Sequence, residues 1–315
     1  MRLKSLEKKL KSESKTNFFS PGKLLLTSEY VVLDGALALA VPTKLGQELS
    51  VVETENGQSM ISWKAFHQDQ LWLSAKINYQ NWEIVETNLG SSAQFVLMVL
   101  KNIQKRSTRK FQGNTSYEMV THLQFLANFG LGSSSTLMNN LSEWAEIDAF
   151  ELNELCLGGS GYDIAVAKEK SPITYRYFEN VRKVETLHFK PEFRNELIFI
   201  HLNQKQDSRK GIELYRSKPK SQELIAQLSD ITKEIILTRD VEKFSELMEI
   251  HERQLSEFLG IPPVKENYFE NAPVFVKSLG AWGGDFVLSR KFSGFGDYFS
   301  GRGFSTVFEW DELIP

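Results

Sequence analysis

Four short segments of the chain carry the residue types that phosphate chemistry needs. Phe129 to Thr136, reading FGLGSSST, leads from an extended, alternating run into a helical one through two glycines and a cluster of hydroxyls. A glycine-rich turn lets backbone approach a ligand closely, and the N–H groups and positive dipole end of the following helix favour an anion. Phosphate is the obvious anion, with Ser133, Ser134, Ser135 and Thr136 able to bond its oxygens or to ligate a magnesium ion. Taken alone, the segment also reads as a helix N-cap in which Ser133 or Ser134 satisfies backbone donors. Lys23 follows Pro21-Gly22, and Asp163 follows a run containing Gly158, Gly159 and Gly161, which places it on a tight turn. By itself Asp163 reads as a plain turn or N-cap aspartate. Lys277 to Leu288, KSLGAWGGDFVL, is the third glycine-rich stretch. Donors that cradle phosphate, a cation that neutralises developing charge and a carboxylate near the attacking group are the parts of phosphoryl transfer, provided the segments converge in space.

Other chemistries fit the letters less well. No segment matches the GxxxxGK[ST] loop of the ordinary nucleotide hydrolases. Ser20-Pro21-Gly22-Lys23 satisfies SxxK, yet the SDN and KTG partners of serine β-lactamases are missing. Gly158-Gly159-Ser160-Gly161 falls one residue short of a nucleophile elbow, and His251-Glu252 lacks the second histidine of a zinc-protease motif. The histidines at 67, 122, 188, 201 and 251 are scattered and read as structural or surface residues.

The elements that must position these groups follow from periodicity. At 315 residues the chain is long enough for two domains or one large core. Residues 18 to 53 read as apolar strands broken by turns at Pro21-Gly22 and Asp34-Gly35, and Ile61 to Tyr79 continues the alternation. Ser91 to Gln104 has helical spacing; Tyr117 to Phe129 reads as a strand and Leu137 to Asp148 as a helix. A second helix ends at Gly158-Gly159, the segment from Tyr175 to Lys190 reads as a hairpin, and ELIFIHLN as a strand. Ser221 to Leu259 holds two amphipathic helices split near Thr238 to Asp240 and closed by Pro262-Pro263. The organisation restarts near Pro191, giving a leader over residues 1–16, an N-terminal domain over 17–190 and a C-terminal domain over 191–315.

Composition narrows the class. A hydrophobic content of 41%, a charged content of 24% and a net charge of −3 lack the basic excess of a general nucleic-acid binder. No run approaches the roughly 18 apolar residues of a membrane span. The Lys-rich start lacks the apolar stretch of a signal peptide. The single cysteine, Cys156, excludes an intrachain disulfide and suits a reducing compartment, so a cytoplasmic location follows by elimination.

Together and in this order, the motifs resemble those of the GHMP kinase superfamily, which includes galactokinase, homoserine kinase, mevalonate kinase and phosphomevalonate kinase. Pro21 to Leu26 with Glu29-Tyr30-Val31-Val32-Leu33 resembles the first motif, Gly130 to Ser135 the nucleotide loop, Lys277 to Asp285 the third motif, and Gly159 to Asp163 the segment bearing the catalytic aspartate. The resemblance implies an α+β fold, with an N-terminal domain like domain 2 of ribosomal protein S5 and a C-terminal ferredoxin-like domain. It implies ATP and Mg2+ as cofactors, Asp163 and Lys23 as catalytic residues, and phosphate binding by Gly130, Leu131, Gly132, Ser133, Ser134 and Ser135. Ser134 would meet the metal, and Gly280, Gly283 and Gly284 would form the active-site wall. Ser208 and Arg209, in a loop with Lys205 and Lys210, fall where the family contacts its substrate. The family's additional magnesium-binding glutamate has no clear counterpart, Glu151 and Glu154 being the nearest in position.

Within the superfamily the isoprenoid branch fits best. The Glu29-Tyr30 pair, GSGYDIA and the closing GGD look more like phosphomevalonate kinases, a slight lean over mevalonate kinases. Other acceptors, a sugar or amino-acid hydroxyl, and a catalytically silent nucleotide- or metabolite-binding regulator are the alternatives. The implied partner is a small molecule, with no nucleic acid or membrane and with a homodimer left open. Three departures stand out: Ser28 in place of glycine, Ser135-Thr136 in place of a small apolar pair, and Trp282 within a run of small residues. Gly294 to Gly303 reads as chain-turning sequence.

Overall fold

The computed structural model describes residues 13–204, 208–280, 282 and 284–315. To residue 157 the elements are β1 (Glu13–Leu25), β2 (Ala38–Glu55), β3 (Met60–His67), β4 (Gln70–Asn78), β5 (Glu83–Thr87), α1 (Gly90–Arg106), β6 (Thr115–Leu123), α2 (Ser133–Ala145) and α3 (Ala149–Cys156). There follow α4 (Tyr162–Glu169), β7 (Ile173–Phe178), β8 (Val181–Thr186), β9 (Leu197–His201), α5 (Ser208–Arg216), α6 (Gln222–Leu237) and α7 (Val241–Leu259). The chain closes with α8 (Val264–Tyr268), β10 (Val276–Leu279), β11 (Phe286–Arg290), α9 (Phe295–Ser300), β12 (Val307–Glu309) and α10 (Trp310–Leu313). The fold is α+β, as expected. Among the described residues no helix is long and apolar enough to cross a membrane.

Two compact units interleave along the sequence. One takes the chain through Phe19, Gln47–Gln124 and Leu137–Leu157; the other takes Ser20–Gly46, Phe125–Thr136 and Gly158–Pro315. In the first unit the strands run β5-β4-β3-β6-β2, with β3 and β6 parallel and the other neighbours antiparallel. Helix α1 buries Ala93, Val96, Leu97, Val99, Leu100 and Ile103 along one stripe, the periodicity that marks an amphipathic helix, and packs on β4, β5 and α3. Strand β1 begins at Glu13, inside the stretch read as a leader; residues 1–12 lie outside the described residues.

In the second unit, the early part of β2 pairs with β7 and β7 with β8, while β10-β11-β9-β12 form an antiparallel sheet. Every residue of β9 is buried, so its sequence is continuously apolar up to His201. Helix α7 packs against β10 and α6. The Gly294 to Gly303 stretch does more than turn the chain: α9 within it drives Phe299, fully buried, into a core with Phe269, Val287 and Phe304.

Two sequence expectations are corrected. Pro21-Gly22 is not a turn but lies inside β1. A Cβ on Gly22 would sit 2.5 Å from Thr43 Oγ1 and 2.9 Å from the Leu131 carbonyl oxygen, so the glycine permits close packing in an extended strand. The strand read over Tyr117 to Phe129 ends at Leu123. Its later apolar residues, Phe125 and Phe129, are buried from a loop, and the Phe129 ring lies 4.5 Å from His201 and 5.6 Å from Phe286. Alternation caused by loop side chains was thus read as a strand.

Candidate active site

Lys23, the glycine loop and Asp163 all belong to the second unit, and they meet there. The backbone N–H of Lys23 donates to the Leu131 carbonyl at 3.0 Å and its ammonium to the Gly130 carbonyl at 2.8 Å. Gly130 and Gly132 both have positive φ, 69° and 84°, a region costly for residues with a Cβ. A side chain on Gly132 would meet Ser135 Oγ at 2.6 Å and the Lys23 stem at 3.2 Å, so the lysine lies across the loop. Helix α2 starts at once: Thr136 N–H and Ser135 Oγ donate to the Gly132 carbonyl at 3.0 and 2.8 Å, and Thr136 Oγ1 to Ser133 at 3.0 Å. These local bonds account for the hydroxyls at 135 and 136. Ser133 is partly accessible and Ser134 exposed.

Asp163 stands in the first turn of α4, whose cap, Gly161, is left-handed at φ 83°. Tyr175 donates its hydroxyl to the Ser160 carbonyl, fixing the approach to that cap. Burial pushes the Asp163 carboxyl above the usual aspartate range, opposed by Lys23, by the Ile164 N–H at 3.0 Å and by Ser135. For Lys23, burial favours the neutral amine, but Tyr162, Asp285 and Asp163 outweigh it and hold the pKa above the ordinary lysine value. The Lys23 ammonium lies 5.5 Å from the Tyr162 ring centre. Lys23, Tyr162 and Asp163 each keep a partly accessible edge, as groups that meet a ligand must.

The third motif adds Asp285. Its carboxylate fills the open face of Gly130, where an added Cβ would fall 2.1 to 2.6 Å from the carboxyl atoms, and a Cβ on Gly280 would stand 4.0 Å from Oδ2. Gly284 is buried. Gly283 and Lys205 lie outside the described residues; Ser208 and Arg209 open α5, without described side chains. One turn on, Gly211 packs on Tyr30: a Cβ there would fall 2.2 Å from the phenol oxygen. Glu151 and Glu154 sit on α3 of the first unit, where Glu151 pairs with Arg106 at 3.3 Å.

Beneath this accessible group lies a buried one. After β1 the chain turns through Ser28 and Tyr30, both at positive φ, 64° and 62°. The serine at the usual glycine position is held by its N–H donating to His251 Nε2 at 2.7 Å and its Oγ to the Leu37 carbonyl at 2.7 Å. Glu29 accepts from the Lys277 ammonium at 2.5 Å, both side chains being at most 1% exposed. Glu252 accepts from the Ser278 hydroxyl and N–H at 3.0 and 3.2 Å, and burial pushes its carboxyl up to about 7. Burial, with Lys277, drives the His251 pKa well below its ordinary value, so the ring is neutral and its Nε2 free to accept. Tyr30 accepts from the backbone N–H of Trp282 at 2.9 Å, and burial raises its phenol to about 12. Trp282 is 94% buried.

No protein-family model and no curated sequence matches the chain. Its three-dimensional structure does find counterparts. Methanococcus jannaschii mevalonate kinase superposes with a TM-score of 0.67 at 16% identity, over 94% of this chain and 97% of that one. The two chains share a fold. Streptococcus pneumoniae phosphomevalonate kinase, solved with phosphomevalonate and AMPPNP, gives 0.66 at 14% identity over 93% and 99%. Lactococcus lactis galactokinase, solved with galactose, gives 0.65 at 13% over 94% and 92%.

On this fold, the structure brings together Lys23, Gly130, Leu131, Gly132, Ser135, Asp163 and Gly280. Sequence reasoning left out Tyr162 and Asp285 as site residues. Tyr162 adjoins Asp163, and Asp285 closes the glycine run of the third motif, so both stood next to residues already singled out. Neither letter says that its side chain turns toward Lys23.

Proposed function

We propose that the protein is an ATP-dependent phosphotransferase acting on mevalonate or 5-phosphomevalonate, with the lean toward phosphomevalonate. The observation that carries this reading is the lysine laid across a two-glycine loop at a helix start, with a carboxylate of raised pKa in its field. The shared fold supports it, since solved proteins of this architecture include kinases of both acceptors.

The residues fit a nucleotide. The left-handed glycines leave a cradle that side chains would fill, and the first turn of α2 presents N–H groups and the exposed Ser134 hydroxyl. Gly130 to Ser135 would hold the phosphates and Ser134 would offer its oxygen to magnesium. Bound MgATP supplies the phosphoryl group and the divalent charge that screens it. Lys23 would neutralise charge developing on the transferred group. Asp163 would take the proton of an acceptor hydroxyl, its raised pKa making it a stronger base than an exposed aspartate. A phosphate acceptor is already ionised near neutral pH, since its second pKa lies at about 6. Asp163 would then orient the acceptor, and its replacement would cost less.

The test is ADP release measured with mevalonate, 5-phosphomevalonate, homoserine and galactose in turn. Release with 5-phosphomevalonate is the expected result. Turnover with mevalonate alone overturns the lean, and turnover only with homoserine or galactose moves the acceptor outside the isoprenoid branch.

A further inference from the structure

We infer that the edge of β8 pairs antiparallel with the same edge of a second copy of this chain, in a register set by its own charges. In the second unit β8 ends the run β2-β7-β8, and among the described residues its one strand partner is β7. The hairpin turns through Glu179 and Asn180, both at positive φ, 50° and 63°, a two-residue turn that opposes Phe178 to Val181 and Ile173 to Thr186. One residue past the strand, the Leu187 N–H still donates to the Pro172 carbonyl at 3.0 Å. Main-chain groups point alternately to either side along an antiparallel strand. Counting back from Leu187, those of Arg182, Val184 and Thr186 turn away from β7. The Arg182 side chain is engaged elsewhere, over the Tyr177 ring at 4.9 Å and against Tyr175. A strand that ends a sheet in this way is a template for another.

Charge complementarity names the occupant and the register. A two-fold axis perpendicular to β8 relates two identical copies and makes their pairing antiparallel. With that axis at Val184, each Val184 exchanges main-chain bonds with its counterpart, and Arg182 of each copy stands opposite Thr186 of the other. Val181, Lys183, Glu185 and Leu187 alternate with these residues and share one face. Lys183 of each copy then stands opposite Glu185 of the other, and Val181 opposite Leu187, at the closely spaced positions where side chains interact most. Moving the axis to Arg182, Lys183 or Glu185 would set like charges against each other. The groups are available: Val181 is 67% exposed, and the Lys183 and Glu185 side chains, 2.8 Å apart, are 71% and 59% exposed. A lone lysine on an edge discourages pairing. Here the glutamate two residues on makes that lysine half of a complementary pair. The other terminal strand, β5, reads EIVET and has no basic residue for that part.

One strand pair is a small interface, so the association is weak and must be read at high concentration. Sedimentation velocity of the full chain at low ionic strength, from about 1 to 200 µM, is the test. The wild type should show a reversible monomer–dimer equilibrium in that range. Lys183→Glu or Glu185→Lys alone should weaken it by about ten-fold or more, because each sets like charges opposite twice in the symmetric pair. The double swap, Lys183→Glu with Glu185→Lys, restores the complementarity with reversed signs and should return the affinity to within about three-fold of the wild type. Val184→Pro removes an N–H that faces away from β7, a position where an edge strand tolerates proline, and should leave the chain folded and monomeric. A wild type that stays monomeric throughout, or a dimer indifferent to Lys183→Glu and Val184→Pro, overturns the inference. So does a double swap no tighter than the single variants.

Discussion

Replacing Lys277 with methionine should destabilise the protein more than any surface change, and by an amount that depends on pH. The ammonium is fully buried, 2.5 Å from Glu29 Oε1 and 2.8 Å from the Ser278 carbonyl oxygen. Glu252 feels the same charge, and neutral His251 contributes none. Methionine preserves most of the volume but leaves two enclosed carboxylates without their cation. Breaking a buried pair from one side costs about 3–5 kcal/mol, which for a chain of this size lowers the melting temperature by roughly 5–8 °C. Burial already raises both carboxyl pKa values, to about 7 for Glu252. A carboxyl raised in the folded state binds more protons there than in the unfolded chain, so stability falls as pH climbs from the ordinary carboxylate range through the raised value. Without Lys277 both values climb further, and the deficit should be largest near pH 8 and shrink toward about pH 5 as protonation removes the stranded charge. Denaturant unfolding of the two proteins at several pH values measures this. A loss below about 1 kcal/mol, or one that does not change with pH, would refute the buried-charge reasoning.

Four further outcomes are expected. Asp163→Asn should keep AMPPNP affinity within about three-fold while lowering kcat by a factor of 10²–10⁴ if the acceptor is an alcohol; a near-normal rate by ADP release would remove the base role. In the wild type, activity should fall as pH drops through the raised Asp163 pKa, and Lys23→Met should push that acid limb to higher pH by removing the charge that opposes burial, which pH–rate profiles check. Gly130→Ala should lower stability by at least about 1–2 kcal/mol in thermal melts, because the position has φ 69° and the new methyl would fall 2.1 Å from the Asp285 carboxyl carbon. Tyr30→Phe should strand the buried backbone N–H of Trp282 and lower stability by about 1–3 kcal/mol in denaturant unfolding, an unchanged midpoint counting against that bond.

The sequence carried the chemistry further than the architecture. Glycines beside hydroxyls at a strand-to-helix junction, a lysine and an aspartate were readable because few other roles need those types at that spacing, and α1, α6 and α7 were readable from their apolar stripes. Hidden were features set by tertiary contact. Gly22 looked like a turn because only the approach of Thr43 and Leu131 explains a glycine inside a strand. Phe125 and Phe129 mimicked a strand while serving as loop anchors. The pairing of Glu29 with Lys277 spans 248 positions, and no local periodicity reports a partner at that distance. Trp282, odd by its letter in a run of small residues, is buried, and its backbone N–H donates to Tyr30.

Following the γ-phosphoryl group itself decides most directly whether Lys23, the loop and Asp163 form a phosphotransfer site. With γ-labelled ATP, Mg2+ and 5-phosphomevalonate or mevalonate, the wild type should move label to the acceptor in step with ADP formation, and Asp163→Asn should do so far more slowly. Label that stays on ATP with both acceptors, or that passes to water at a rate indifferent to acceptor, would contradict the assignment.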